Sequence, residues 1–254
     1  MARKKIHKKT VRSKNTVVKS TPKAATKHVF LKTFLVFCIF VMVLFSLNWL
    51  FTEDYQRYSV ASPSSSPDDF YKPIIYLYPQ ESTEVNVKVG YPEKFTHTYP
   101  KYTNGWHVLA QPNGDLTDLQ TGRHLYALYW EGLNASQNTA PDGFIVKGSD
   151  TITFLEEKLA MLGLTEREAN EFIIYWLPKL ENNPYNLIRF QSLAQQNKNM
   201  PLNITPAPNT LIRVMMEYKP LNEKVELPEQ ILPSTPARTG FTVVEWGGTE
   251  LNKE

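Results

Sequence analysis

Five charged residues sit inside apolar stretches of this chain: Glu131, Arg189, Arg213, Glu217 and Glu245. Two of the acids adjoin tryptophan and glycine, in Trp130-Glu131-Gly132 and Glu245-Trp246-Gly247. A carboxylate beside an indole is what a sugar-binding groove offers. The ring stacks on the sugar, and a pair of carboxylates can act as acid and base or as nucleophile. The same residues have a plainer use: a charge buried alone is strongly destabilising, so acids and arginines brought inside must pair. Arg213 and Glu217 stand an even number of residues apart in an alternating stretch, and therefore share a strand face. Glu131, Arg189, Arg213, Glu217, Glu245, Trp130 and Trp246 form the candidate ligand or charge-network set, and no residue is given a catalytic role.

Other chemistries find less support. His97, His107 and His124 come without an HExxH or paired-cysteine pattern, so neither a metal site nor a cofactor is expected. No serine nucleophile elbow, phosphate-binding glycine loop or dinucleotide fingerprint occurs. The one cysteine, Cys38, lies in an apolar run near the N-terminus. That leaves the rest of the chain without a thiol nucleophile or a disulfide.

The elements that must position these residues follow from hydrophobic periodicity. Strands are expected at Ile74–Tyr78, Glu84–Val89, Phe95–Tyr99, Trp106–Gln111, His124–Trp130 and Gly143–Lys147. The period then changes. Ile152, Leu155, Leu159 and Leu162 mark one helix, behind Ser149 or Asp150 as cap and ahead of Gly163. Thr165-Glu-Arg-Glu168 is a capping box that opens a second, with Ala169, Phe172, Ile173, Trp176, Leu177 and Leu180 inward and Pro178 set to kink or end it. Ile174 and Tyr175 widen its apolar face, so burial on more than one side is expected. Strands resume at Tyr185–Phe190, Leu211–Tyr218 and Phe241–Trp246, separated by proline-rich loops. The implied fold class is α+β: a mainly antiparallel β domain, with a sandwich as one arrangement, packed against a helical hairpin.

Residues 33–51 form an apolar run without charge. As a helix it would be about 28 Å long, which predicts a single-pass transmembrane signal-anchor. Residues 1–32 hold eleven Lys or Arg and no acid, whereas residues 53–254 hold 17 basic and 25 acidic groups. Basic residues beside a span stay cytoplasmic, so the expected layout is a cell-membrane protein with its N-terminus inside and its C-terminal domain extracellular. The expected divisions are a basic tail (1–32), the span (33–51), a Ser/Pro-rich stalk (52–72) and one domain (73–248). The basic tail has no aromatic residue before Phe30. Base stacking thus has no support, and no nucleic acid partner is expected.

Several stretches together carry a resemblance: Lys72-Pro-Ile-Ile-Tyr-Leu-Tyr-Pro79, Tyr129-Trp-Glu-Gly132, Asn170-Glu-Phe-Ile-Ile-Tyr-Trp-Leu-Pro178, Asn183-Pro-Tyr-Asn-Leu-Ile-Arg189 and Gly240-Phe-Thr-Val-Val-Glu-Trp-Gly-Gly248. Over roughly residues 72–250 the chain resembles a family of uncharacterised bacterial proteins. The resemblance implies one domain across that span and an exported or surface setting. It attaches no activity, so it transfers no catalytic residue. The expected function is a membrane-tethered extracellular binding or interaction module. Its partners would be membrane lipid through residues 33–51 and a cell-wall glycan or an envelope protein. The alternative is an envelope carbohydrate-binding or glycoside-cleaving enzyme using Glu131 and Glu245.

Overall fold

A computed structural model describes residues 34–35, 37–43, 70–133, 141–235 and 237–251. The chain divides into two units, Met1–Ser64 and Ser65–Glu254. In the first, residues 34–35 and 37–43 are helical. The basic tail, residues 52–69 of the predicted stalk, and the remainder of the predicted span lie outside the described residues.

The transmembrane helix expected over residues 33–51 is corrected. Among the described residues no helix is long and apolar enough to cross a membrane. A crossing helix needs about 20 apolar residues, and the described helical residues of this stretch, 34–35 and 37–43, are fewer. The single-pass and signal-anchor assignments fall with it.

In the second unit the described residues form thirteen strands. In chain order they are β1 (Phe70–Tyr71), β2 (Ile74–Tyr78), β3 (Thr83–Val89), β4 (Phe95–Tyr99), β5 (Trp106–Ala110), β6 (Leu116–Asp118), β7 (His124–Leu125), β8 (Leu128–Leu133), β9 (Phe144–Lys147), β10 (Tyr185–Phe190), β11 (Leu202–Thr205), β12 (Thr210–Leu221) and β13 (Thr242–Glu250). The helices are α1 (Thr151–Met161), α2 (Glu166–Leu180) and α3 (Leu193–Asn199). The larger sheet runs β1-β8-β2-β13-β12-β10-β9, with β4 also paired to β8; the smaller runs β11-β3-β5-β6-β7. Every pairing among these strands is antiparallel except β12 with β13, which is parallel.

Two cores share the larger sheet. On one face Tyr76, Val244, Trp246, Val214 and Met216 meet Leu155, Leu159, Phe172, Trp176 and Leu180 of α1 and α2. On the other, Ile75, Leu77, Val243, Met215, Leu128 and Trp130 meet Val85, Val87, Trp106 and Val108 of the smaller sheet. The result is three layers, helices over sheet over sheet. β12 and β13 lie in the middle layer and are buried along most of their length. Burial on both faces is why they read as near-continuous apolar runs broken by their charges.

Local readings meet the structure unevenly. The α2 capping box is present: Thr165 Oγ1 accepts from the Glu168 N–H at 3.3 Å, and Glu168 Oε2 accepts from the Thr165 N–H at 2.8 Å. Two orphan donors at the helix start are satisfied reciprocally. The helix runs past Pro178 to Leu180. Burial on more than one side of α2 is corrected, because Ile174 and Tyr175 are exposed. At the helical period of 3.6 they fall away from the stripe set by Ala169, Phe172, Trp176 and Leu180. The predicted strand His124–Trp130 is two strands in different sheets, β7 and β8.

Gly248 of β13 lies directly under α2. A Cβ there would stand 2.8 Å from both the Trp176 ring and the Met216 carbonyl oxygen. Gly248→Ala is expected to destabilise the fold by about 1–3 kcal/mol, the usual range for overpacking. Thermal unfolding followed by circular dichroism checks it, and an unchanged midpoint would show that helix and sheet are not in contact there.

Candidate functional site

Four of the five predicted charges project from one face of the larger sheet, the face toward the smaller sheet. Strand register brings them together: Arg213 stands opposite Glu245 across the parallel pair, and Arg189 opposite Glu217 across β10 and β12. Arg213 Nε donates to Glu245 Oε2 at 2.6 Å, with both side chains fully buried. The rest of the guanidinium is used as well. Nη1 donates to Asn197 Oδ1 and Nη2 to the Met200 carbonyl, each at 2.9 Å. The other Glu245 oxygen accepts from Trp130 Nε1 at 3.1 Å. Saturation of this kind is what makes an ion pair tolerable in a protein interior.

The second pair is looser. Arg189 Nη1 lies 3.4 Å from Glu217 Oε2, and Arg189 Nη2 lies 3.9 Å from Asp142. Gln191 Nε2 donates to Glu217 Oε1 at 2.6 Å. Helix α3 ties the two pairs together, because the Gln196 amide donates to the carbonyls of Gln191, at 2.9 Å, and Arg213, at 3.1 Å.

Glu131 belongs elsewhere. On β8, Leu128 and Trp130 face the smaller sheet, so the period of two turns Glu131 to the opposite side. There it binds Lys72, accepts from Tyr129 Oη at 2.7 Å and Thr96 Oγ1 at 3.3 Å, and lies 3.5 Å from His97 Nδ1. Burial pushes its pKa up, but the hydrogen bonds from Lys72 and Tyr129 and the charges of Lys72 and His97 outweigh it, and the net direction is down. Burial, then the bond to Glu131, pushes the Tyr129 phenol well above the ordinary tyrosine range, so it stays a donor.

Glu131 and Glu245 thus do not flank a common cleft: they leave opposite faces of one sheet and each holds its own cation. Trp130 and Trp246 are 0 % and 2 % exposed, which leaves neither ring to stack on a sugar. The histidines are apart in their contacts, His97 with Glu131, His107 with Glu84 at 3.2 Å, and His124 with Thr117 at 3.4 Å. Among the described residues no group of three or more His, Cys, Asp and Glu is placed to hold a metal ion.

What the predicted residues do share is a groove. Arg189 and Arg213 both line a space of about 680 Å³ at the end of β10, bounded by the edge of β12, the start of α3 and the stretch 230–235. Its walls are largely apolar, with Phe190, Leu193, Ile212, Val214 and Leu232 among them. Sequence reasoning missed Gln191, Gln196, Gln230 and the whole of α3. The signal was there, because Ser192 to Gln195 has the spacing of a capping box. Ser192 Oγ accepts from the Gln195 N–H at 3.2 Å, and Gln195 Oε1 accepts from the Ser192 N–H at 2.9 Å.

The fold and site define a three-layer helix–sheet–sheet domain with a saturated ion pair at its centre and an apolar groove at its side. The chain is similar to the "Uncharacterized protein in bglA 3'region" of Butyrivibrio fibrisolvens, 36 % identical over 75 residues that make up 28 % of this chain and 75 % of that protein. The chain belongs to the family of that bacterial protein. No protein-family model matches it, and no solved structure does.

Two outcomes are expected from the charges. Arg213→Met alone leaves Glu245 buried without its cation and is expected to cost about 3–5 kcal/mol, while Arg213→Met with Glu245→Leu recovers part of that loss, because Trp130, Asn197 and the Met200 carbonyl still lose their partners. Urea unfolding of the wild type, both single variants and the double variant measures it; a double variant as unstable as the singles would show that the pair is not the shared cause.

For Glu131 the folded pKa lies below the ordinary value of 4.5. Its pairing therefore contributes stability that is fully present above that value and is lost as pH falls through the folded one. Between about pH 6 and about pH 3 the melting temperature of the wild type is expected to fall more steeply than that of Glu131→Gln. Parallel pH slopes would remove Glu131 as the cause.

Proposed function

We propose that the chain is a binding module whose recognition surface is the groove between the edge of β12, the first turn of α3 and residues 230–235. The observation that carries this reading is the groove itself, with mostly apolar walls and a few polar groups. Its size falls within the range usual for ligand sites. The acids and arginines nearby are already paired with one another, which suits recognition. The partner that fits this surface is another protein.

Ile231 and Leu193 line the groove and are 93 % and 49 % exposed, so they can be changed with little effect on folding. A library of small apolar and amide-bearing fragments, screened against the full chain by nuclear magnetic resonance, is expected to perturb signals that cluster on Phe190, Ile212 and Val214. Ile231→Lys with Leu193→Lys is expected to abolish those perturbations while leaving stability within about 0.5 kcal/mol of the wild type. Perturbations scattered elsewhere, or none, would overturn the assignment.

A further inference from the structure

β12 has unequal neighbours. β13 pairs with it from Thr210 to Tyr218, whereas β10 pairs only from Met216 to Leu221. Among the described residues the β10 side of the strand has no partner strand upstream of Met216. Leu211, Ile212, Arg213 and Val214 all line the groove. Successive side chains of a strand point to opposite faces, so four consecutive residues can line one space only where the strand edge is its wall. On that side the Met215 carbonyl accepts from the Gln191 N–H at 2.9 Å and the Arg213 carbonyl from Gln196 at 3.1 Å. Backbone groups face one edge at every second residue, so Leu211 shares that edge with Arg213 and Met215. Among the described residues the Arg213 N–H meets no backbone acceptor on that edge.

We infer that this edge takes an extended, uncharged peptide segment of a partner protein, added to β12 as a further strand; the inference rests on the groove being the recognition surface. An edge left partly open in an apolar groove is a template for strand addition. Nearby, the chain covers its open backbone with side-chain amides. Gln230 accepts from the Phe190 N–H at 2.9 Å and donates to the Phe190 carbonyl at 2.8 Å, supplying the two bonds a neighbouring strand would make. Among the described residues the edge at Leu211 and Arg213 has no such two-bond cover.

The charge balance selects the ligand. Arg189 is 5 % exposed and lines the groove, and its Nε–H has no hydrogen-bond partner among the described residues. Its positive charge is already faced by Glu217 and Asp142. It thus presents no unbalanced cation to the groove. An uncharged peptide suits this balance, whereas an incoming carboxylate would meet two resident acids. The apolar walls suit uncharged side chains alternating along the added strand.

The test uses the full chain and capped pentapeptides, acetyl-Thr-X-Thr-X-Thr-amide with X as Val, Leu, Phe or Ala. The same peptides N-methylated at alternate residues and decanoate serve as comparisons. At least one unmodified peptide is expected to bind and to slow amide exchange at Leu211 and Arg213, with affinity falling about tenfold or more on N-methylation as backbone bonds are lost. N-methylation leaves the protein untouched, so the comparison does not depend on the stability of any variant. Peptides that bind equally well when N-methylated would overturn strand addition. If decanoate or fragments bind the groove and no peptide does, strand addition falls and the binding-module reading stands. If nothing binds there, both fall.

Discussion

The Arg213–Glu245 pair organises this domain. It joins β12 to β13, two inner strands of the larger sheet and the one parallel pair among the named strands, and both of its side chains are fully buried. Such a pair is a weak source of net stability, because the loss of hydration offsets most of the attraction. Its effect is on arrangement. The remaining bonds of the pair are directed at different elements: Trp130 on β8, Asn197 on α3, Met200 just beyond it. A shift of register between β12 and β13 would break all of these together, so the charges penalise wrong packings more than they reward the right one.

Helix α3 is the element most dependent on that pair. It has 7 residues, too few to hold itself together in water. Gln196, 2 % exposed, is its main buried anchor, and that side chain serves the backbone of the strands below rather than an apolar core. The groove takes one wall from this helix. Its shape therefore follows from a polar network, and the apolar lining is laid over it.

The legible parts of the chain were those where one period dominates. Val85, Val87 and Val89 alternate and are buried; Phe172, Trp176 and Leu180 repeat at helical spacing and are buried. The charges set in apolar strands were readable as a network, since arginines and acids on neighbouring buried strands have no other partners. Which acid meets which arginine was not readable. Glu131 and Glu245 look alike in their Trp and Gly surroundings, yet a step of one residue in pleat sends them to opposite faces. Pairing order was equally hidden: nothing local marks β13 as the parallel neighbour of β12. The apolar run at 33–51 has the composition of a span, and composition alone does not establish a crossing helix. The groove is a property of where β10 stops relative to β12, which only the assembled sheet displays.

The placement of β13 has a consequence for how the chain is made. β13 is the last described strand in sequence, but it lies between β2, among the first, and β12, and it contributes to both cores. During synthesis the ribosome releases β2 and β12 before their common neighbour. Until residues 242–250 emerge, Arg213 has no carboxylate opposite it, and β2 and β12 lack the strand that lies between them. The two-sided middle layer therefore closes in a late, long-range step, of the kind that slows folding and leaves strand edges open to other chains. The same central position that ties the two cores together leaves the partly made domain with open strand edges until residues 242–250 arrive.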